Sequence, residues 1–269
     1  MAGRLQGWSG GYPLTWLAGS AQSFVYYNGQ VRLFAAPNSL QTAVYSLNDF
    51  GQIVGYMTKN DGVGYPHAFL RQPNGEITDL GTFGGVSAIA VAINNRGQII
   101  VNVAIADSSF HALLLQPGGR VDKDLGKFTT ANGLNNLGEV VGSLHLTNGD
   151  THAFLWSGGK VNDLGTLPGF HDASAASIND FGQIVGSSGP RAGFIYFHKT
   201  MYNLEDLLAP GTLVHPNSEG LGVGWTFSPA VAINNRGQII INGHHTLGTG
   251  QPGDTTSHPA ILNPSTILP

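Results

Sequence analysis

Ile178-Asn179-Asp180-Phe181-Gly182-Gln183-Ile184-Val185-Gly186 is one copy of the phrase that decides the fold of this chain. In every copy an Asn is followed three residues later by a Gly, and then by a polar residue and an apolar run. Asn favours the start of a tight turn, and Gly supplies the positive φ that the end of the turn requires. Each copy therefore predicts a hairpin turn that leads into a β-strand. The copies begin at Asn48, Asn94, Asn135, Asn179 and Asn234, and Gly3-Arg4-Leu5-Gln6-Gly7-Trp8 resembles the second half of another.

Two further phrases recur between these copies. His-Ala-Phe-Leu, or a variant of it, predicts a third strand, and Asp-Leu-Gly marks the end of a fourth. Short Gly-rich turns such as Pro73-Asn74-Gly75 separate the two phrases and predict a second hairpin. The His of the first phrase stands at His67, His111, His152 and His258, with degenerate copies at residues 23–26 and 192–195. The Asp of the second phrase stands at Asp79, Asp124, Asp163 and Asp206.

The repeat is about 45 residues long, which is the size of a four-stranded propeller blade. Four antiparallel strands cannot bury both of their faces alone, and radial stacking of successive sheets covers both. The Ala- and Ser-rich first strands suit the crowded position nearest the axis. The sequence therefore predicts an all-β protein, a β-propeller of four-stranded blades, with six blades or, as the alternative, five. One domain spans residues 1–269, with repeats at approximately 3–34, 41–80, 87–125, 130–164, 173–207 and 228–269.

Composition excludes several classes of function. The chain has 269 residues, of which 41% are hydrophobic and 10% charged, and its formal net charge is −4. With no basic patch to approach phosphates, nucleic acid is not expected as a partner. No apolar run reaches the roughly 18 residues needed to cross a bilayer, so no membrane span is expected. Cys is absent, which rules out disulfides and thiolate metal sites. No signal peptide is visible near Met1, which leaves open that an export signal has been trimmed.

The phrases around Asn179, His152-Ala153-Phe154 and Asp163-Leu164-Gly165 resemble the bacterial HAF-repeat family, which is named for its His-Ala-Phe tripeptide. The resemblance covers almost the whole chain. Members of that family look like exported bacterial proteins, so the resemblance implies an extracellular or cell-envelope location. It implies no chemistry, because the family has no agreed activity.

Function is expected where the loops vary. The turns between strands one and two, and between three and four, are short and share one face, whereas the other connections vary in length and leave at the opposite face. Binding residues concentrate on variable loops held by a rigid scaffold, so this varied face and its axial mouth are the expected site. The connections between strands two and three cover residues 56–66, 102–110, 143–151, 187–191 and 243–257. Those between blades include residues 35–42, 165–172 and 208–227.

The repeated histidines are interpreted as scaffold. A residue that recurs at the start of each third strand usually serves the fold, here by bonding a neighbouring Asp-Leu-Gly turn. A shared metal ion is the alternative, but third strands lie too far from the axis for a ring of imidazoles to close on one ion. The Asp residues of these turns are interpreted as acceptors for nearby backbone N–H groups.

The polar residues of the varied loops that do not recur are the candidate catalytic or metal-ligating groups. Imidazoles and carboxylates can ligate a divalent metal or act as acid–base pairs. The alternative is that they are solvated loop residues that do not converge. These candidates are His171, Asp172, His215, Glu219, His244 and His245.

Three tryptophans on or beside the varied loops are candidate ligand-binding residues. Exposed indoles there would stack on sugar rings or apolar ligands, and the alternative is that they pack between blades. These residues are Trp8, Trp16 and Trp225.

Two hypotheses for function follow. The first is a non-catalytic exported module that binds a glycan, a protein or a small molecule through the varied face and needs no cofactor. The second is an enzyme, a hydrolase or lyase, that works at the axial mouth with the candidate His, Asp and Glu residues and could use a divalent metal. Convergence of three candidates within one coordination shell favours the enzyme, and their scattering favours the binding module.

Overall fold

The structure is a computed structural model that describes residues 23–27, 29–60, 64–190, 192–207, 225–246 and 255–263. The chain divides into two compact units, Met1–Gly138 and Glu139–Pro269. Nearly all of the described residues lie in antiparallel strands or in the tight turns between them, and the helical element among them is a 3₁₀ turn at Glu205–Leu207. The prediction of an all-β protein is confirmed.

The first unit contains a hairpin and two four-stranded sheets whose strands pair in sequence order. The hairpin consists of β1 (Ser23–Tyr27) and β2 (Gln30–Phe34). The first sheet consists of β3 (Ser39–Leu47), β4 (Ile53–Lys59), β5 (Pro66–Arg71) and β6 (Ile77–Gly81). The second consists of β7 (Ser87–Ile93), β8 (Ile99–Ala104), β9 (Phe110–Leu115) and β10 (Val121–Lys127), and β11 (Thr129–Leu134) packs against its first three strands.

The second unit continues the same pattern. Its strands also pair with their neighbours in sequence order, and each hairpin is antiparallel. The first three strands are β12 (Val140–His145), β13 (Thr151–Ser157) and β14 (Lys160–Gly165). A four-stranded sheet follows, with β15 (Ala173–Ile178), β16 (Ile184–Ser188), β17 (Ala192–Phe197) and β18 (Thr200–Asn203). The described strands of the last repeat are β19 (Trp225–Ile233), β20 (Ile239–Thr246) and β21 (Thr255–Leu262).

Successive sheets pack face to face within each unit, and the core lies between them. In the first unit β7 packs against β4 and β5 of the preceding sheet. In the second unit β15 packs against β12 and β13, and β19 packs against β16 and β17. Buried Ala, Val, Ile and Leu side chains of both sheets fill each interface. A first strand laid on the middle strands of the preceding sheet is the arrangement of propeller blades, so the predicted fold class is confirmed. The number of blades, six or five, stays a prediction.

The varied connections are shorter than the sequence predicted. β4 runs to Lys59, although residue 56 was the expected start of the connection, and β20 and β21 leave only residues 247–254 of the expected loop 243–257. The connections expected at 102–110, 143–151 and 187–191 likewise begin later, and β19 begins inside the one expected at 208–227. Each strand continues beyond the end of its apolar pattern. The hydrogen bonds of the ladder join backbone groups, so they form wherever a partner strand lies opposite, whatever the side chains are.

The Asn that begins each turn phrase joins one sheet to the next. The Nδ2 group of Asn48 donates to the backbone oxygen of Asn94 at 3.1 Å, and Nδ2 of Asn94 donates to that of Asn135 at 3.0 Å. In the second unit Asn179 donates to the backbone oxygen of Asn234 at 3.1 Å. These bonds connect equivalent turns, and they have nearly the same length at all three of these junctions.

The same side chain also closes its own turn. Oδ1 of Asn94 accepts hydrogen bonds from the backbone N–H groups of Arg96 at 3.0 Å and of Gln98 at 2.9 Å. Its Nδ2 group donates a further bond to Oε1 of Gln98 at 2.8 Å, and Asn94 is 4% exposed. A primary amide offers two donors and two acceptor positions, and all four are used here.

A Gly of the second strand faces the Phe of His-Ala-Phe in three repeats. These pairs are Gly55–Phe69, Gly142–Phe154 and Gly186–Phe194. The Phe rings are fully buried, and a Cβ on Gly186 would lie 2.0 Å from the backbone oxygen of Ser174 and 2.9 Å from the ring of Phe194. Two repeats with a larger residue in the second strand have a smaller partner, in the pairs Val101–Leu113 and Ile241–Ala260. The sizes of the residues at the two paired positions therefore vary inversely among these five repeats.

We expect Asn94→Ala to lower the free energy of unfolding by about 2–4 kcal/mol, because the buried backbone oxygen of Asn135 and two partly buried N–H groups lose their partner. The matched control is Asn74→Ala, since Asn74 lies on an exposed turn and accepts one bond, from the N–H of Glu76 at 3.0 Å. The control should cost less than about 1 kcal/mol. Urea unfolding of both variants measures the difference, and equal losses would show that the bond to the next turn contributes nothing.

Gly186→Ala should lower the free energy of unfolding by about 3 kcal/mol, because the added methyl group overpacks a rigid strand pair. Gly182→Ala is the control: its φ is +73° and a Cβ there meets nothing within 4 Å, so only the left-handed backbone costs energy, about 1–2 kcal/mol. Thermal unfolding of the two variants provides the comparison. A larger loss for Gly182→Ala would contradict the volume matching.

Candidate functional site

The repeated histidines bond the Asp of the Asp-Leu-Gly phrase, as the sequence predicted. The shortest distances from Nδ1 to a carboxylate oxygen are 3.2 Å in His67–Asp79, 2.9 Å in His111–Asp124 and 2.9 Å in His152–Asp163. Each of these carboxylates also accepts the N–H of the Gly two residues later, at 2.8 to 2.9 Å. Each pair therefore ties the third strand to the bulge at the end of the fourth. In the repeat at residues 173–207, Asp206 lies in the 3₁₀ turn.

Asp79 also bonds Lys59, in addition to the kinds of partner that it shares with Asp124 and Asp163. Partial burial raises the pKa of Asp79, but hydrogen bonds from Lys59, from the N–H of Gly81 and from His67 lower it by more, so that the pKa lies below its usual value of 3.8. The ionised carboxylate is thus the form that the folded chain stabilises.

The described residues contain no group of three or more His, Asp or Glu side chains placed to hold a metal ion. Four of the predicted site residues, His215, Glu219, Trp8 and Trp16, lie outside the part of the chain that the structure describes.

His244 and His245 were expected on a long loop, and that prediction was wrong. Both lie in β20, where the backbone of His245 pairs with Trp225 on one side and with Thr256 on the other. The cause is again the length of the strand, since polar residues continue the ladder as well as apolar ones do. The register places candidate residues Trp225 and His245 directly opposite each other.

His171 and Asp172 lie on an inter-blade connection, as expected, and the structure brings them to the turn between β12 and β13. We call the group His145, Asp150, Phe170, His171 and Asp172 the His–Asp junction. Nδ1 of His171 is 3.3 Å from Oδ1 of Asp150. Two turns of the second unit, residues 146–150 and 166–172, therefore meet at this junction.

Thr151 completes the link between the two turns. Its N–H donates to Oδ1 of Asp172 and to the backbone oxygen of His171, both at 3.2 Å. Its hydroxyl group is 3.2 Å from Nδ1 of His145. Within the first turn, Asn148 Nδ2 donates to Oδ2 of Asp150 at 2.7 Å. These bonds hold the polar groups of the junction in fixed positions.

Phe170 gives the junction an exposed aromatic surface. Its ring lies over Gly189, where a Cβ would come within 2.2 Å of the ring. The hydroxyl group of Thr166 donates to the backbone oxygen of Phe170 at 2.8 Å, and the N–H of Gly189 donates to that of Asp172 at 2.7 Å. Phe170 is 37% exposed, and the side chain of the adjacent His171 is 85% exposed. The junction thus combines a braced aromatic ring with exposed polar groups.

Sequence reasoning missed Phe170, Asp150 and the role of His145. Phe170 directly precedes the candidate pair His171-Asp172, so a search of the neighbours of that pair could have found it. Nothing in the sequence links Asp150 to His171, because their contact depends on how two consecutive blades pack.

No family model matches the chain, and no curated protein matches it in sequence. Among solved structures, the chain is similar to the Hadza microbial sialidase Hz136, with a TM-score of 0.46 and 10% identity over 84% of this chain and 52% of that one. It is also similar to apo AztD from Citrobacter koseri, with a TM-score of 0.39 and 10% identity over 75% of this chain and 56% of that one. The chain spans about half the length of each.

None of the helical segments in the described residues is long and apolar enough to cross a bilayer.

The stability of the chain should fall as the pH drops below about 4, and Asp79 should account for part of this loss. Its pKa is lower in the folded chain than in the unfolded one. The unfolded chain therefore binds more protons in this range, and stability is lost as the pH falls through the folded pKa. The melting temperature of Asp79→Asn should change less than that of the wild type between about pH 5 and about pH 3. Glu76→Gln, at an exposed site of the neighbouring turn, is the control, and identical slopes for all three proteins would contradict this assignment.

Proposed function

We propose that the chain is a non-catalytic binding module that holds a glycan at the His–Asp junction of its second unit. The observation that carries this proposal is the exposed ring of Phe170, braced against Gly189 beside the exposed His171 and its partner Asp150. An aromatic face carries partial negative charge, and the C–H groups of a sugar ring carry partial positive charge, so the two stack favourably.

The polar groups of the junction suit sugar hydroxyls. Each hydroxyl can donate and accept, so it needs carboxylate acceptors and imidazole groups at fixed positions. His171 and Asp150 supply both from two braced turns. Because the site is already ordered before a ligand arrives, little conformational entropy is lost on binding. A ligand could therefore bind through a few well-placed contacts.

The contacts at the junction do not favour the hydrolase or lyase alternative. Asp172 accepts the N–H of Thr151, and the carboxylate of Asp150 accepts a bond from Asn148. Both carboxylates thus brace the turns, whereas glycoside hydrolysis uses a pair of carboxyl groups that face one bond of the substrate.

An extracellular or cell-envelope location belongs to the same proposal. It is supported by the resemblance of the repeated phrases to exported HAF-repeat proteins. Glycans are abundant in that setting, which agrees with the ligand proposed here.

Phe170→Ala should weaken glycan binding by about fivefold to about 150-fold, because a stacked ring contributes on the order of 1–3 kcal/mol. The ligand is first identified on an array of neutral and acidic glycans, and the affinity of each variant for the best-bound oligosaccharide is then measured by calorimetry. The matched control is Phe181→Ala, since Phe181 is 75% exposed on the turn at the far end of β15.

His171→Ala tests the polar half of the site and should weaken binding while leaving the melting temperature unchanged, because its side chain is largely exposed. Unchanged affinity for both the Phe170 and the His171 variants would refute the junction as the site. Turnover of the bound oligosaccharide by the wild type would instead establish the enzyme alternative.

A further inference from the structure

Phe128 combines an exposed ring with a strained backbone. It follows β10 in the first unit, its φ is +64°, and the residue is 42% exposed. A left-handed conformation is costly for a residue with a bulky side chain. Because the ring of Phe128 is partly exposed, its burial offsets less of this backbone strain than the burial of a core residue would.

Phe83 is the natural comparison, because it stands two residues after the Gly of Asp-Leu-Gly in the preceding repeat, as Phe128 does in its own. Its φ is +54°, but its ring packs against the core between the two sheets of the first unit. Burial of that ring compensates for the strain at Phe83. At Phe128 much of the ring faces solvent, and the fold alone does not explain why an aromatic residue occupies the position.

The ring of Phe128 is held rigidly. The N–H of Phe128 donates to the backbone oxygen of Phe110 at 2.8 Å, and the two rings meet edge to face at 5.9 Å and 80°. Nζ of Lys127 lies 5.2 Å from the centroid of the Phe128 ring and 2.9 Å from Oδ2 of Asp107. A donor and an acceptor group are therefore fixed beside the exposed aromatic surface.

Asp107 is available as an ionised acceptor. Hydrogen bonds from the hydroxyl group of Ser109, from Lys127 and from the N–H of Ser109 hold the pKa of Asp107 well below its usual range. The positive charge of Lys127 and the negative charge of Asp107 offset each other. An acidic sugar would have to compete with Asp107 for Lys127, whereas a neutral sugar can bond to both.

We propose that Phe128, Lys127 and Asp107 form a second sugar-binding site, the Phe128 site, which stacks a neutral pyranose on the ring and bonds its hydroxyl groups. This inference rests on the proposed function of the chain as a glycan-binding module.

The test is calorimetric titration of the whole chain with cellohexaose, chitohexaose, laminarihexaose and maltohexaose, and with hexagalacturonate as the acidic comparison. The wild type should bind a neutral hexasaccharide at two sites. Phe128→Ala and Phe170→Ala should each leave one site, and the double variant should leave none. Phe50→Ala is the matched control in the first unit, since Phe50 is 66% exposed on a turn between first and second strands.

The outcomes separate the two proposals. If Phe170→Ala removes all binding and Phe128→Ala changes nothing, the second site is refuted while the proposed function stands. If only Phe128→Ala reduces binding, the junction is refuted and the Phe128 site stands. If hexagalacturonate binds and no neutral hexasaccharide does, the proposal of a neutral sugar ligand is refuted. If no oligosaccharide binds, both proposals are refuted.

Phe128→Gly provides a measurement that needs no ligand. Gly adopts a positive φ without strain, so the melting temperature should be unchanged or higher if the ring is present for binding. A fall of more than about 4 °C, which corresponds to roughly 1 kcal/mol or more, would show that the ring holds the fold and would overturn the proposal.

Discussion

A buried amide is the constraint on which the rest of the structure depends. In each described turn between first and second strands, the Asn side chain bonds its own turn and, at three of the junctions, the backbone of the next turn. Backbone ladders hold strands together within a sheet, but they do not determine how one sheet is placed against another. Apolar packing between sheets favours contact without direction. The directional bonds of Asn48, Asn94 and Asn179 fix how one sheet is placed against the next. They therefore also fix the positions of the loops at the other end of those sheets.

Volume matching explains why the repeat tolerates some substitutions and excludes others. Phe69, Phe154 and Phe194 are buried, and a Gly pairs with each of them in the ladder. A Cβ would meet the ring of Phe194 at Gly186, and the backbone of Ala43 at Gly55. Leu113 is smaller, and the residue opposite it is Val101. The His-Ala-Phe phrase is therefore half of a longer pattern, whose other half is the Gly that follows Gln-Ile-Val. The His of the same phrase acts at the surface, where it steadies the Asp-Leu-Gly bulge.

Local chemistry made the scaffold predictable. Recurrence of the His at the start of the third strands indicated that it serves the fold by bonding an Asp-Leu-Gly turn, and the hairpins follow from Asn and Gly at fixed positions. The bond from Asn48 to Asn94 was not predicted, because it joins residues of different sheets. The contact between Asp150 and His171 was missed for the same reason. The prediction for His244 and His245 failed differently: apolar periodicity indicates where a strand is half buried, but β20 continues beyond that point through backbone pairing with its neighbours.

The hydrogen bonds at the two ends of a sheet have different effects on stability. We call the end with the Asn-containing turns the turn end, and the end with the varied connections the loop end. At the turn end, bonds are buried and repeated, and they stabilise the fold. At the His–Asp junction the bonds are exposed, differ from those of other repeats and join turns that solvent would otherwise separate. Exposed polar bonds contribute little net stability, and the strained backbone of Phe128 lowers it. These bonds and this strain are explained if they hold aromatic and polar groups in the positions that a ligand needs. Side chains that are ordered on folding lose little conformational entropy when a ligand binds.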